Sequence, residues 1–214
     1  MSTTYKVNLE AAKKESGSAN SIYRSGVYDI KIQKAYISTT KNGAKKMNIR
    51  YRLKGSDKDN GTLFITLTNT NGSENFQKSL FDKLVTVIGL TEVSTAKQSV
   101  VTKKETFEAE CFPALENKEV KVWVKFRYTK YNGNISENID IQDFFRSTDK
   151  ASAREILTKA DIGKRYTNCE KSFSITDYRD ELTKEDVMAW LEARKNGTQT
   201  NVKSEVKESD EIPF

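Results

Sequence analysis

The stretch EVKVWVKFRYTKY, residues 119–131, alternates apolar and polar side chains along its length. A period of two belongs to a β-strand with one buried face; a helix would scatter the same residues around its circumference. Val120, Val122, Val124 and Phe126 share one face. Lys121, Trp123, Lys125, Arg127, Thr129 and Tyr131 share the other. KKMNIRYRL repeats the pattern, with Met47, Ile49, Tyr51 and Leu53 inward and Lys46, Asn48, Arg50 and Arg52 outward. TLFITLT puts Leu63, Ile65 and Leu67 on one face and Phe64 and Thr66 on the other. In VYDIKIQKAYI, Tyr28, Ile30 and Ile32 alternate, and then Ala35 and Ile37 continue the apolar face one residue out of register. A β-bulge absorbs that slip and sends Lys34 and Tyr36 outward.

Between the third and fourth strands the period changes. Phe76, Leu80, Phe81, Leu84, Val85 and Ile88 recur at helical spacing, and Gly89 is placed to end the helix. The polar stretch from about Thr91 to Lys104 reads as a long loop or short helix. Asn132-Gly133-Asn134 marks a tight hairpin, and the returning strand carries Ile139 and Ile141. The expected fold is therefore mainly β. Five strands with a helix after the third is the order of an OB-fold barrel; strand order alone also admits another small β-barrel or an α+β sheet.

Four segments are expected. Residues 1–25 form an N-terminal arm and 26–145 the barrel. Residues 146–196 form a helical appendage packed on it, and 197–214 a disordered linker with an acidic tip. Within the appendage a short helix is expected near Lys150–Leu157. A firmer one is expected over LTKEDVMAWLEARKNG, capped by Thr183 with Asp186 and carrying a stripe of Val187, Trp190 and Leu191.

Composition narrows the chemistry. The chain has no histidine, the usual general base near neutral pH. Cys111 and Cys169 stand far apart, and two lone thiols cannot complete a zinc site. Asp140 and Asp143, in NIDIQDFF, could hold Mg²⁺ in a nuclease, but they read more simply as a polar strand face and its exit turn. KNGAKK lacks the GxxxxGK[ST] spacing of a phosphate loop. No enzyme activity, cofactor or metal is expected. The sequence has no long apolar run and no signal-peptide pattern, so no membrane partner is expected and a cytoplasmic protein is.

The net charge of +6 and pI near 9.1 point to a polyanionic partner. Trp123 sits on an outward face with cations two residues to either side. Single-stranded nucleic acid gives that pattern a purpose: bases stack on aromatic planes while phosphates follow cations. The candidate binding residues are Lys31, Lys34, Tyr36, Lys46, Arg50, Arg52, Phe64, Lys121, Trp123, Lys125, Arg127 and Tyr131, with loop residues Lys41, Asn42 and Lys45 placed to close over the strand. In one competing reading, Trp123 and Phe64 pack beneath residues 146–196 and the outer cations only solubilise; in another, the basic face meets acidic protein or RNA in an assembly or scaffold role.

The segment KESDEIPF, residues 207–214, carries Glu208, Asp210 and Glu211, so the body of the chain is more basic than the whole. This segment resembles the acidic tip of single-stranded-DNA-binding proteins. GVYDIKIQKAYISTTKNGAKKMNIRYRL, in turn, is similar to the phage members with one OB-fold per chain. The resemblance implies a non-enzymatic protein, monomer or homodimer, that coats single-stranded DNA in replication, recombination or repair. In a phage setting it would work in the host cytoplasm. It further implies that Asp210, Glu211, Ile212, Pro213 and Phe214 recruit a polymerase, helicase, primase or nuclease. Phe214 would fill an apolar pocket, and the carboxylates would face basic residues around it.

Overall fold

The alternating segments form strands, and the slipped one becomes the strand on which the sheet is organised. The computed structural model describes residues 21–56, 58–102 and 105–196. β1 (Gly26–Thr39) pairs antiparallel with β2 (Lys45–Leu53), and β2 with β3 (Gly61–Thr66). The register of β1 on β2 shifts between Ile32 and Lys34, which makes Gln33 the extra residue of a bulge. The other edge of β1 is shared. Gly26 to Lys31 pair with β6 (Glu119–Tyr131), and Tyr36 pairs with Cys111 of β5 (Thr106–Cys111). β4 (Ala96–Val101) pairs with β5, while β7 (Asn134–Arg146) and the short β8 (Asp177–Tyr178) pair with β6. The result is an eight-stranded antiparallel sheet that does not close on itself.

The inward faces match the alternation. Ile30, Ile32, Ala35, Met47, Ile49, Leu63, Ile65, Val120, Val122 and Val124 are all buried. Each large aliphatic side chain so buried contributes roughly 1.5–3 kcal/mol. α1 (Lys78–Val87) adds Leu84, Val85 and Val87. It ends at Gly89, whose φ of +81° is left-handed and whose neighbour Leu90 donates its N–H back to the Val85 carbonyl (3.0 Å). Phe76, expected on the helical stripe, precedes the helix and is exposed. The β6–β7 turn has positive φ at Asn132 and Gly133, as a two-residue hairpin requires.

The stretch from Thr91 to Lys104 is corrected by the structure. Ala96–Val101 form β4, which pairs with β5 as a hairpin rather than lying in a loop or helix. This hairpin buries little of itself: Val100 and Cys111, with half-buried Phe107 and Ala109, gather on Tyr36. Its partner surface lies on β1, so neither strand shows a local apolar face long enough to read.

The described residues divide into two units, 21–126 with 139–177, and 127–138 with 178–196. In the first, Ile22 and Ser25 are buried, and the Ser25 hydroxyl accepts from the Phe126 N–H (2.9 Å). After β7 come α2 (Ala153–Thr158), α3 (Lys164–Cys169) and a 3-10 turn at Glu170–Ser172. Ser152 and Glu155 form a capping box on α2. The buried Glu155 carboxylate accepts from the N–H groups of Ser152 (2.8 Å), Arg165 (2.7 Å) and Gly163 (3.3 Å). In the second unit, Tyr128 stacks on Tyr178 (5.9 Å) and meets Trp190 edge-on (6.3 Å). There α4 (Lys184–Lys195) is capped by Thr183 with Asp186 and buries Val187. No helix among the described residues is long and apolar enough to cross a membrane. Gly197, the last residue of the segment expected to be helical, and the acidic segment 208–214 lie outside the described residues.

Glu155 makes this fold sensitive to acid. Burial is the largest influence on its carboxyl and opposes ionisation, but the backbone donors together outweigh it and hold its pKa below the ordinary 4.5. A depressed folded pKa gives stability that is present above the unfolded value and is lost as pH falls through the folded one. Thermal unfolding from pH 7 to pH 3 should show this loss below about pH 4.5, the ordinary carboxyl value. Glu155→Gln, which cannot ionise, should flatten that part of the profile.

Candidate nucleic-acid interface

The register places the outward residues in rows across three strands. Phe64 pairs with Asn48 and Asn48 with Tyr36. Thr62, Arg50 and Lys34 form the next row, and Thr66, Lys46 and Ser38 the row on the other side. Neighbouring rows lie about 7 Å apart along the strands. Phe64 is therefore flanked diagonally by Lys46 and Arg50. The row beneath it is fixed: the buried Asn48 amide donates to the Tyr36 carbonyl (3.2 Å) and the Ser38 hydroxyl (2.8 Å). Phe64 itself is 55% exposed. A lone exposed aromatic is ordinary on a protein surface. Its two cationic neighbours and rigid floor make this one informative.

Tyr36 is on the same face but is not open. Its ring is buried and meets Phe107 edge-on at 5.7 Å, within the small cluster that also holds Val100 and Cys111. Burial raises the Tyr36 phenol above its ordinary value, so it stays a neutral hydroxyl. A shallow cavity of about 280 Å³ lies between the hairpin end and the β2–β3 loop, lined by Tyr36, Arg50, Asp59, Gly61, Thr62 and Thr102.

Several expected cations carry carboxylate partners that the sequence did not reveal. Arg50 pairs with Asp59 and donates to the Val101 carbonyl. Lys34 lies 2.7 Å from Glu116 and also meets Gln98. Lys121 reaches both oxygens of Asp29 at 2.7 Å. Arg52 is held by the Gln33 side chain (3.0 Å), in the amide orientation that also lets Gln33 donate to Asp59 (3.2 Å). Lys31 is exposed and, with Arg52 and Lys54, lines a second cavity of about 200 Å³ that also admits Asp29 and Glu119.

On β6, Trp123 lies under cover. Trp123 is half-buried and meets Phe173 edge-on at 5.2 Å. Phe173 in turn packs on Tyr166 (4.8 Å) and Phe145 (6.3 Å). The indole N–H of Trp123 is buried with no acceptor. An unmet buried donor costs on the order of 1–3 kcal/mol. Lys125 is half-buried beside it on the strand. Arg127 and Tyr131 belong to the other unit, where Tyr131 is exposed. The structure thus groups Lys34, Tyr36, Lys46, Arg50 and Phe64 on the β1–β3 face and Lys31 with Arg52 at the second cavity. Lys121, Trp123 and Lys125 lie along β6.

The carboxylates weighed as a metal site are arranged otherwise. Asp143 is 1% exposed and is clasped by Arg165 (2.6 Å) and Lys83 (3.2 Å). That hydrogen bond to Asp143 is the main reason the Arg165 guanidinium is held above its ordinary pKa. No group of three or more potential metal ligands occurs among the described residues.

The sequence reading missed the hairpin wall and the acids Asp29, Asp59 and Glu116. The alternation of Phe107, Ala109 and Cys111 in TFEAEC was the one local signal for the wall. No protein-family model matches the chain, and no curated protein resembles it at a significant level.

Tyr36 and Phe64 should separate structure from surface. Tyr36→Ala removes a buried ring and should cost about 3 kcal/mol in urea denaturation. Phe64→Ala should stay within about 0.5 kcal/mol of the parent, as surface substitutions do.

Proposed function

We propose that this chain is a non-enzymatic, sequence-independent single-stranded-DNA-binding protein acting in DNA replication, recombination or repair. The observation that carries the reading is Phe64, open on the sheet's outer face and flanked by Lys46 and Arg50. An exposed ring between cations gives a base a stacking surface and its phosphates a charge partner.

The sheet supports the same reading. Along the path β3-β2-β1-β6-β7 the strand order is that of an OB barrel whose closing pair, β3 with β7, is not made. α1 follows the third strand, as in that fold. β4 and β5 are then an added hairpin. OB folds bind oligonucleotides on the face of their second and third strands, which here is the face that presents Lys46, Arg50 and Phe64. The acidic segment 208–214 is proposed to recruit a replication or recombination enzyme and to compete with DNA for this face, since its carboxylates mimic phosphate.

The reading is tested by anisotropy of a labelled oligothymidylate, against matched RNA, duplex and heparin. Single-stranded DNA should bind best, and log affinity should fall with log salt by roughly 0.7 for each phosphate neutralised. Phe64→Ala should weaken binding by about 1–3 kcal/mol, the worth of one stacked base. Lys46→Ala should weaken it less and should reduce the salt slope by about one phosphate's share. Deleting residues 208–214 should tighten binding. Heparin binding as well as the oligonucleotide would favour the scaffold role. No affinity for single strands at low salt would overturn the reading.

A further inference from the structure

Trp123 is held in a way that a permanent core residue would not need. Its indole N–H is the one buried side-chain donor without an acceptor among the described residues. The ring set against it belongs to Phe173, the only buried residue from Lys164 to Asp177. α3 and the following 3-10 turn bury nothing of their own. Phe173 is therefore the one buried anchor of the part after α3, while Tyr166 and Arg165 of α3 meet Phe145 (5.2 Å) and Asp143 on β7.

The stretch is tied at its start by an ion pair, and at its end by a hydroxyl contact that precedes the pairing of β8 with β6. At the start, Arg165 grips Asp143 (2.6 Å), and the N–H groups of Arg165 and Gly163 meet Glu155. Just before that tie, Lys159, Asp161 and Gly163 all have positive φ, so the chain reverses there. At the far end, the Thr176 hydroxyl meets the Ser25 hydroxyl at 3.1 Å.

We propose that Trp123 and Phe173 form a second base-binding site, opened when residues 170–176 swing outward and the Ser25–Thr176 contact parts. Its ligand is a nucleobase of a single strand. The two rings meet at 5.2 Å and 66°, so parting them leaves ring surface on which a base can stack. An acceptor on the base edge, which every base carries, would satisfy the indole N–H left unmet in the closed form. Lys121 and Lys125 flank Trp123 on the strand, and Lys150 lies 4.7 Å over the ring of Tyr166. These cations suit the flanking phosphates. The inference rests on the single-strand reading and extends the binding path from the Phe64 face to β6.

The test uses the full chain. Trp190→Phe leaves Trp123 as the sole tryptophan of the two. Titration with labelled oligothymidylate then reads binding by anisotropy and the site by Trp123 emission. Binding should quench that emission by half or more. In a Cys169→Ser background, Ser25→Cys with Thr176→Cys places two thiols where the hydroxyls now touch. Oxidised, this variant should bind at least fivefold more weakly and lose the quenching; reductant should restore both, which also shows that the fold is intact. Binding with unchanged Trp123 emission overturns the second site and leaves the Phe64 reading standing. Equal binding by the oxidised and reduced forms does the same. No binding by any variant at low salt overturns both.

Discussion

One residue of β1 decides how the sheet can be assembled. β1 pairs with β2 from Ile30 to Thr39, and its opposite edge serves two different partners, β6 near its start and β5 near its end. The extra residue at Gln33 makes this compatible with a single core. It lets Ile32 and Ala35, three positions apart, both be fully buried. Without it the second half of β1 would be out of phase, and Lys34 and Tyr36 would point into the core. The outward placement of both, and the Tyr36 seat for the β4–β5 hairpin, follow from the bulge.

The outer face is charged, but much of its charge is already matched. Lys34, Arg50 and Lys121 each hold a carboxylate drawn from a different part of the chain. The cations and their partners are only partly exposed. Such pairs orient the cations on the face. Under the single-strand reading, a phosphate would replace the carboxylate, and the displaced acids would return to water. Under that reading, an acidic segment of this chain would compete by the same exchange.

How far the sequence could be read depended on whether each signal was local. β1, β2 and β6 bury one face against one core, so their alternation was visible, and even the bulge appeared as a phase slip between Ile32 and Ala35. The Asn132-Gly133 turn and the Thr183 cap were also visible, because each is a backbone requirement met by adjacent residues. The β4–β5 hairpin was hidden because its apolar partner, Tyr36, lies on a distant strand. A cover on Trp123 from residues 146–196 was one of the readings the sequence allowed, but the residue that makes it was hidden for a similar reason: Phe173 is a single apolar contact within a polar, aperiodic stretch. Ion pairs such as Lys121 with Asp29 join residues far apart in the chain and leave no local trace.

The two faces of the sheet therefore do different work. The inner face is filled by aliphatic side chains that are almost wholly buried, and most of the stability of this unit resides there. The outer face carries short additions, a hairpin seated on Tyr36 and a stretch seated through Phe173, each held by few buried groups. Segments with few buried contacts open at lower free energy than the core beneath them. A sheet built this way can rearrange its outer surface while its inner one stays intact. Under the single-strand reading, Phe64, which is already exposed, and Trp123, which is covered by Phe173, would be two stages by which the same face takes hold of a flexible chain.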